Sequence, residues 1–322
     1  MKKYIVKKDE SGQTLEKFIK KSFPNMPLSF LYKLFRKKDV KVNGHWEDKK
    51  YIINENDEVS IYISDDQADN FIKSDDIKPN NDLEPLIVYE DENVLIVNKP
   101  RGVLVQPDKS GSLSLDKMVI SYLMYKGEYD PESLGFKPGP SHRLDRNTSG
   151  LVIFGKNTVT LQYLSEALKN HELITKHYYT LVLGELVEDG IIDTPLKKDE
   201  SSGKVYVSSI KDGGKHAKTM YHVLESFNGF TLLDVTLLTG RTHQIRVHLS
   251  SIGYPVIGDS KYGNFDINHE FSKKYHFNNQ FLEAYELEFH KVDGPLKKLR
   301  NENIVIELDK EYLDILKSIK GI

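Results

Sequence analysis

Apolar residues in this chain come in short bursts. No apolar run is longer than four residues, Leu86-Ile87-Val88-Tyr89 being one of them. A helix that spans a bilayer needs about 20 consecutive apolar residues, so nothing here can cross one. Bursts of this length, bounded by Gly, Pro, Asn and Asp, read as short strands. The hydrophobic fraction of 39% still suffices for a sizeable core, and 322 residues give room for one large domain and a small one. Cysteine is absent. That excludes disulfide staples, Cys-ligated zinc, iron–sulfur clusters and a cysteine nucleophile. Met1 to Glu10 (MKKYIVKKDE) lack the apolar stretch of a signal peptide, and the expected compartment is the cytoplasm.

The overall charge of -3 conceals a division. Residues 1–63 hold 14 Lys and Arg against 9 Asp and Glu, a net of +5. Residues 64–84 hold 2 against 7, a net of -5, and residues 85–322 carry a net of -3. This predicts a basic amino-terminal module (1–63), an acidic, flexible and self-repelling linker (64–84), and a large domain (85–322).

Within the module, Leu15, Phe18 and Ile19 sit at helical spacing. After the Pro24 to Pro27 break, Leu31, Leu34 and Phe35 form the stripe of a second helix. Lys33, Arg36, Lys37 and Lys38 crowd the rest of that helix. Val40 and Val42 lead into Asn43-Gly44, a strong hairpin turn, and Val59, Ile61 and Ile63 alternate as a closing strand. Cations clustered on one helix can contact phosphates through counterion release, which positions RNA without reading its sequence. An ordinary solvated lysine face has the same composition.

From Pro85 onward, strands outnumber helices and do not alternate strictly with them. This favours an α+β domain with a mixed, mostly antiparallel sheet over a doubly wound layout. A helix is expected from Asn157 to about Lys169, with Leu161, Leu164 and Leu168 inward. Another is expected over His243 to Ile252, with Ile245, Leu249 and Ile252 as its core face. There is no G-x-G-x-x-G after a strand, no P-loop, no H-E-x-x-H and no G-x-S-x-G. The His243/His248 and His171/His177 spacings suit no ligand pair, so these histidines are read as structural, and neither a metal nor a cofactor is implied.

Two segments depart from structural economy. In Ser141-His142-Arg143-Leu144-Asp145-Arg146-Asn147-Thr148-Ser149-Gly150, two arginines bracket one aspartate among turn-forming residues. Flanking cations favour the charged carboxylate. Such a segment is either a salt-bridged turn or a catalytic one. In Leu238-Thr239-Gly240-Arg241-Thr242-His243-Gln244-Ile245-Arg246-Val247-His248-Leu249, Arg246 sits beside the inward Ile245. An arginine so near a core face needs an anionic partner, and Asp145 is a candidate.

Together these segments resemble the RluA family of RNA pseudouridine synthases. Asp-Glu-Asn-Val-Leu-Ile-Val-Asn-Lys-Pro-Arg-Gly (91–102), Lys176-His177-Tyr178 and Gly258-Asp259-Ser260-Lys261-Tyr262-Gly263 support the match. The basic module resembles an S-four-type RNA-binding domain, which points to the branch acting on large-subunit ribosomal RNA. The resemblance implies roles by motif position. Asp145 is the catalytic aspartate, Arg246 its partner, Tyr178 the aromatic that packs on the target base, and Arg143 the side chain that enters the RNA. Lys33, Arg36, Lys37 and Lys38 are the expected RNA contacts of the module. It implies no cofactor and an RNA partner; a monomer is the default expectation. Transfer RNA as target, and a binding factor without catalysis, remain alternatives. Leu282-Glu283-Ala284 departs from the family pattern, which often has histidine in the middle; the departure is expected to touch only peripheral packing.

Overall fold

The computed structural model describes residues 1–7, 10–72, 77–108, 112–131, 136–170 and 172–321. The chain divides into two compact units. One comprises Met1–Glu84 with Lys117–Gly139 and Lys156–Thr158; the other comprises Pro85–Asp116, Pro140–Gly155 and Val159–Ile322.

The first unit begins with β1 (Lys2–Ile5), α1 (Leu15–Ser22) and α2 (Leu28–Lys37). It continues with β2 (Val40–Val42), β3 (His45–Trp46), β4 (Glu58–Ile61) and α3 (Asp65–Ile72). Its strands form an antiparallel sheet in the order β1-β4-β2-β3. Thr14 caps α1 through its hydroxyl, which accepts from Lys17 N–H. The β2–β3 turn runs through Asn43 and Gly44, both at positive φ (52° and 82°), as a tight twisted hairpin requires. Leu15, Phe18, Ile19, Leu31, Leu34 and Phe35 all enter one core with Val40, Val42, Val59 and Ile61. The helical period therefore placed the apolar faces correctly.

The acidic segment is not a free tether. Its first residues form α3, and Ala68 is fully buried in the core of the first unit, with Phe71 packed against it. Mean composition concealed this, because two apolar side chains three residues apart are enough to seat a short helix. Residues 73–76 of that segment lie outside the described residues.

The second unit is built on one large sheet. In chain order its elements are β5 (Ile87–Glu90), β6 (Val94–Lys99), α4 (Leu115–Tyr125, which runs into the first unit), β7 (Gly139–Pro140), β8 (Ser149–Gly155) and α5 (Thr158–Ala167). Then come β9 (Ile174–Leu183), β10 (Gly190–Asp193), β11 (Leu196–Lys198), β12 (Val205–Val207), β13 (Lys218–Phe227) and β14 (Phe230–Leu237). The chain closes with α6 (Gln244–Ser251), α7 (Phe265–Tyr275), β15 (Leu282–Phe289), β16 (Glu302–Val305) and α8 (Lys310–Lys320). The sheet order is β10-β13-β14-β9-β15-β8-β6-β5, with β16 joining β15 and β7 joining β8. The pairings along the sheet order and that of β16 with β15 are antiparallel, except β15 with β8, which run parallel over Glu283–Ala284 and Ser149–Gly150. The fold is therefore mixed α+β with a mostly antiparallel sheet, as expected.

Two inner strands explain the apolar bursts. Every residue of β8 is buried, as are Val94 to Val97 of β6. Strands covered on both faces lose alternation and read as continuous apolar runs. Gly150 answers a local demand. Its φ is +113°, and a Cβ there would lie 2.2 Å from the Ala284 carbonyl oxygen. Only glycine lets β8 approach β15 at the point where the parallel pairing begins.

Two helices differ from expectation. Helix α5 stops at Ala167, and its buried face is Thr160, Leu164 and Ala167. Helix α6 ends at Ser251, and Ile252 is exposed as its C-cap instead of lying in the core. Ile245 and Leu249 are buried as expected, but so are Gln244, Arg246, Val247 and His248. A helix buried nearly all round has no single stripe for periodicity to find.

Candidate active site

Asp145 lies on a turn just before β8, and that turn is clamped from three directions. Ser141 N–H donates to the Ile153 carbonyl (2.9 Å), and Ile153 N–H donates to His142 Nε2 (3.2 Å), which fixes the approach to the turn against β8. Thr148 N–H donates to the Asp145 carbonyl (3.2 Å) and closes the turn. Lys99, at the end of β6 and fully buried, spends its ammonium on three carbonyls. These are Pro100 (2.9 Å), Val103 (2.8 Å) and Arg146 (3.0 Å). Gly102 N–H reaches the same Arg146 carbonyl at 2.9 Å. Burial pulls the Lys99 pKa down to about 7, and the charge of Asp145 opposes it. The Lys99-Pro100-Arg101-Gly102 motif is thus a bracket for the Asp145 turn. Arg101 turns the other way, to Asp309 (3.1 Å) and Glu311 at the start of α8.

Helix α6 delivers the counter-charge. Gln244 at its start accepts from Arg241 N–H (3.0 Å) and the Thr239 hydroxyl (2.8 Å), and donates to the Lys218 carbonyl (3.0 Å). This ties the Thr239–His243 loop to β13. Arg246, 5% exposed, then donates through Nη1 to Asp145 Oδ2 at 2.8 Å. Its Nε and Nη2 donate to Asp259 at 2.6 and 2.8 Å. Asp259 also accepts the amides of Lys261 (2.8 Å) and Tyr262 (3.1 Å). Burial works against the Asp259 charge, but Arg246 and these amides outweigh it and hold its pKa below the ordinary value. Burial likewise opposes the Arg246 charge, and the two carboxylates raise its pKa further. Each guanidinium nitrogen donates to a carboxylate, and one of these bonds fixes one oxygen of Asp145. Among the described residues, Asp145 Oδ1 carries no protein hydrogen bond.

That carboxylate faces a shallow cleft open to solvent. Arg143, Tyr178, Arg241, His243 and Arg246 line it beside Asp145. Leu144, Leu237, Ile245 and Leu282 give it an apolar wall. Tyr178 on β9 is buried, and burial together with the charge of Asp145 raises its pKa, so the phenol stays protonated. Arg143 is exposed at the rim. The structure therefore brings Asp145, Arg143, Tyr178 and Arg246 to one cavity. Lys33, Arg36 and Lys37 are exposed on α2, away from its buried stripe, and Lys38 ends that helix as its left-handed C-cap. These four belong to the first unit.

Three sequence readings need correction. The arginines flanking Asp145 in sequence do not hold it, since Arg146 pairs with Asp108 (3.1 Å) and Arg143 points to the rim. The partner is the expected one, Arg246, 101 positions away, with Asp259 behind it. Asp259 was passed over because a lone aspartate in a glycine-bounded turn looks like a turn former. His243, read as structural, lines the cavity, with Nε2 at 3.9 Å from Asp145 Oδ2. Glu283 is not peripheral. It is buried, and it accepts from the Ser149 hydroxyl (3.0 Å) and from Asp309 N–H (3.1 Å), joining β8 to the start of α8. His171 lies outside the described residues.

A family model described as RNA pseudouridylate synthase matches residues 93–251, which include both clamped segments. An RNA pseudouridine synthase of Mycoplasma capricolum subsp. capricolum is 34% identical over 313 residues, covering 95% of this chain and 97% of that protein. The chain belongs to the RNA pseudouridine synthases, in the RluA family. Ribosomal large subunit pseudouridine synthase D of Vibrio cholerae is 33% identical, over 80% of this chain and 75% of its own length. A solved structure of Human RNA Pseudouridylate Synthase Domain Containing 4 shares the fold, with a TM-score of 0.58 at 23% identity over 74% of this chain and 94% of that one. This pseudouridine synthase is accordingly an isomerase acting on RNA. Among its described residues, no helix is long and apolar enough to cross a membrane.

The clamp on the Asp145 turn makes a pH prediction. His142 is neutral in the fold, because burial and the nearby Lys176 charge push its pKa down to about 3 and Nε2 must accept from Ile153. An unfolded histidine titrates near 6.5. Between those values the unfolded chain binds one more proton, so stability is full above about pH 6.5 and is lost as pH falls toward 3. The slope from this residue approaches about 1.4 kcal/mol per pH unit. His142→Gln should flatten the acid limb of the Tm–pH curve by that one proton; parallel curves for both proteins would remove His142 from it.

Proposed function

We propose that this pseudouridine synthase isomerises uridines of ribosomal RNA, those of the large subunit first, with Asp145 as the catalytic carboxylate and without a cofactor. The ion-pair chain Asp259–Arg246–Asp145 carries the reading. It fixes Oδ2 of Asp145 and leaves Oδ1 free to face the open cleft. The reaction breaks the C1′–N1 bond of uridine, rotates the uracil and forms a C1′–C5 bond, and the C5 proton departs. A base inside a helix cannot rotate in this way, so it must first leave the stack at a cost of a few kcal/mol. Stacking on Tyr178 returns about 1–3 kcal/mol. Arg143, exposed at the rim, is placed to fill the gap left in the RNA. Asp145 then either attacks the sugar carbon or takes a proton from the sugar. The apolar wall keeps water from intercepting the separated ring.

The ribosomal target is supported by the name of the Vibrio cholerae relative. The amino-terminal module is the proposed S-four-type RNA-binding domain. Beside the cations of α2 it exposes three aromatic rings, each under a lysine. Lys38 lies over Trp46 (5.2 Å), Lys41 over Tyr62 (5.3 Å) and Lys49 over Tyr32 (4.6 Å). Rings beside phosphate-binding cations suit unpaired bases. Replacing Lys33, Arg36 and Lys37 by Gln should weaken RNA binding and reduce the slope of log affinity against log salt by about 2 to 3, near 0.7–0.9 per lost phosphate contact. Quenching of Trp46, the one tryptophan of the chain, reports the titration. An unchanged slope would make α2 an ordinary solvated surface.

The activity itself is tested by tritium release from RNA labelled at uridine C5, and the target by mapping pseudouridines in a deletion strain with carbodiimide-blocked reverse transcription. Loss of a site in large-subunit ribosomal RNA supports the reading. Loss confined to transfer RNA would replace it.

A further inference from the structure

His243 is the cavity residue that the reaction as described leaves unused. Three features converge on it. Its backbone is left-handed, with φ 53°, directly ahead of α6. That conformation is uncommon outside glycine, Asn, Asp and His, and here it sets the direction in which the ring leaves the backbone. Its Nδ1 lies 2.8 Å from the Tyr262 hydroxyl, and that hydroxyl oxygen also receives Val205 N–H at 2.9 Å. Its Nε2 is 3.9 Å from Asp145 Oδ2, beyond hydrogen-bond reach, at the cavity wall.

The hydrogens around Tyr262 point to one tautomer. The Tyr262 oxygen already accepts one amide. Burial raises the Tyr262 pKa and the phenol keeps its own hydrogen. Nδ1 of His243 is the acceptor at hand for that hydrogen, and its lone pair is then free. A neutral ring then carries its hydrogen on Nε2. Burial, with the charges of Arg246 and Lys261, lowers the His243 pKa, while Asp145 and Asp259 pull the other way. The net effect favours the neutral ring near pH 7.

From this geometry we infer that His243, set as its Nε2–H tautomer by Tyr262, donates a hydrogen bond to an acceptor oxygen of the nucleoside seated against Asp145. The inference rests on the active-site reading above. A neutral donor suits the place, because it engages a carbonyl without forming a second ion pair that would blunt the carboxylate. Uracil offers carbonyl oxygens at both C2 and C4; cytosine presents an amino group at C4 instead. Tyr262 is then a positioning residue. Val205 belongs to the β11–β12 hairpin, whose small core of Leu196, Val205, Ala217 and Val247 packs against the Tyr262 ring. The seat of that hairpin thus sets the hydrogen that orients His243.

Nitrogen-15 NMR of the full-length protein labelled at histidine reads the tautomer directly. The expected result is an unprotonated Nδ1 and a protonated Nε2 for His243, shifting to a mixture in Tyr262→Phe. Kinetics with C5-tritiated RNA supplies the second measurement. His243→Ala should lower kcat/KM by about 10- to 100-fold, the cost of one donor. His243→Gln, which keeps an N–H, should recover most of that loss. A protonated Nδ1, or an alanine variant as active as the parent, would overturn the inference. Failure of the parent enzyme on every RNA would instead strike the active-site reading, with the NMR result still deciding the tautomer.

Discussion

Asp145→Asn is expected to fold, bind RNA with parental affinity and lose at least about 10²-fold in tritium release from C5-labelled uridine. The expectation follows from what the substitution spares. Asn keeps the shape of Asp and an oxygen for Arg246 Nη1, and Arg246 keeps both of its bonds to Asp259. The turn clamps run through backbone atoms and the side chains of His142 and Lys99, so they are untouched. Only the negative charge and its lone pairs disappear. A general base contributes about 10²–10⁴-fold, and a nucleophile that bonds to the sugar contributes more, so the size of the residual rate also bears on which role Asp145 plays. Turnover within about 10-fold of the parent would remove Asp145 from the chemistry.

Arg246→Met should be the most damaging single change to stability. It leaves Asp259, whose side chain is fully buried, without its bidentate partner. Removing one member of a buried pair costs about 3–5 kcal/mol, because the remaining charge is stranded. At about 2–4 °C per kcal/mol for a domain of this size, Tm should fall by roughly 6–20 °C. Activity should fall by about 10²-fold or more, since Asp145 loses the bond that aims it. Arg246→Met with Asp259→Asn should recover stability without activity, because the stranded charge is gone while Asp145 remains loose. Thermal unfolding and tritium release separate the two effects. A single variant as stable as the parent would mean that Asp259 finds another cation.

The legibility of this protein differed from residue to residue for physical reasons. Elements with one dry face were plain. Leu31, Leu34 and Phe35 of α2, and the apolar runs of β6 and β8, follow periods set by backbone geometry. Helix α6 was half legible. Its existence showed in the sequence, but its burial on nearly all sides did not, and Ile252 was placed inside when it is exposed. The acidic segment misled because net charge is a property of the whole stretch, whereas α3 is seated locally, with Ala68 in the core and Phe71 packed against it.

The sequence by itself determined the fold class, the family and the candidacy of Asp145, Tyr178 and Arg246, because motif order and apolar period are local properties of the chain. Tertiary structure alone decided that the neighbouring arginines leave Asp145 to the expected Arg246, that Asp259 stands behind that arginine, and that His243 faces the cavity beside Tyr262. Ion pairs and hydrogen bonds form between atoms a few ångströms apart in space. Residues 101 positions apart along the chain meet only after the sheet and α6 have packed.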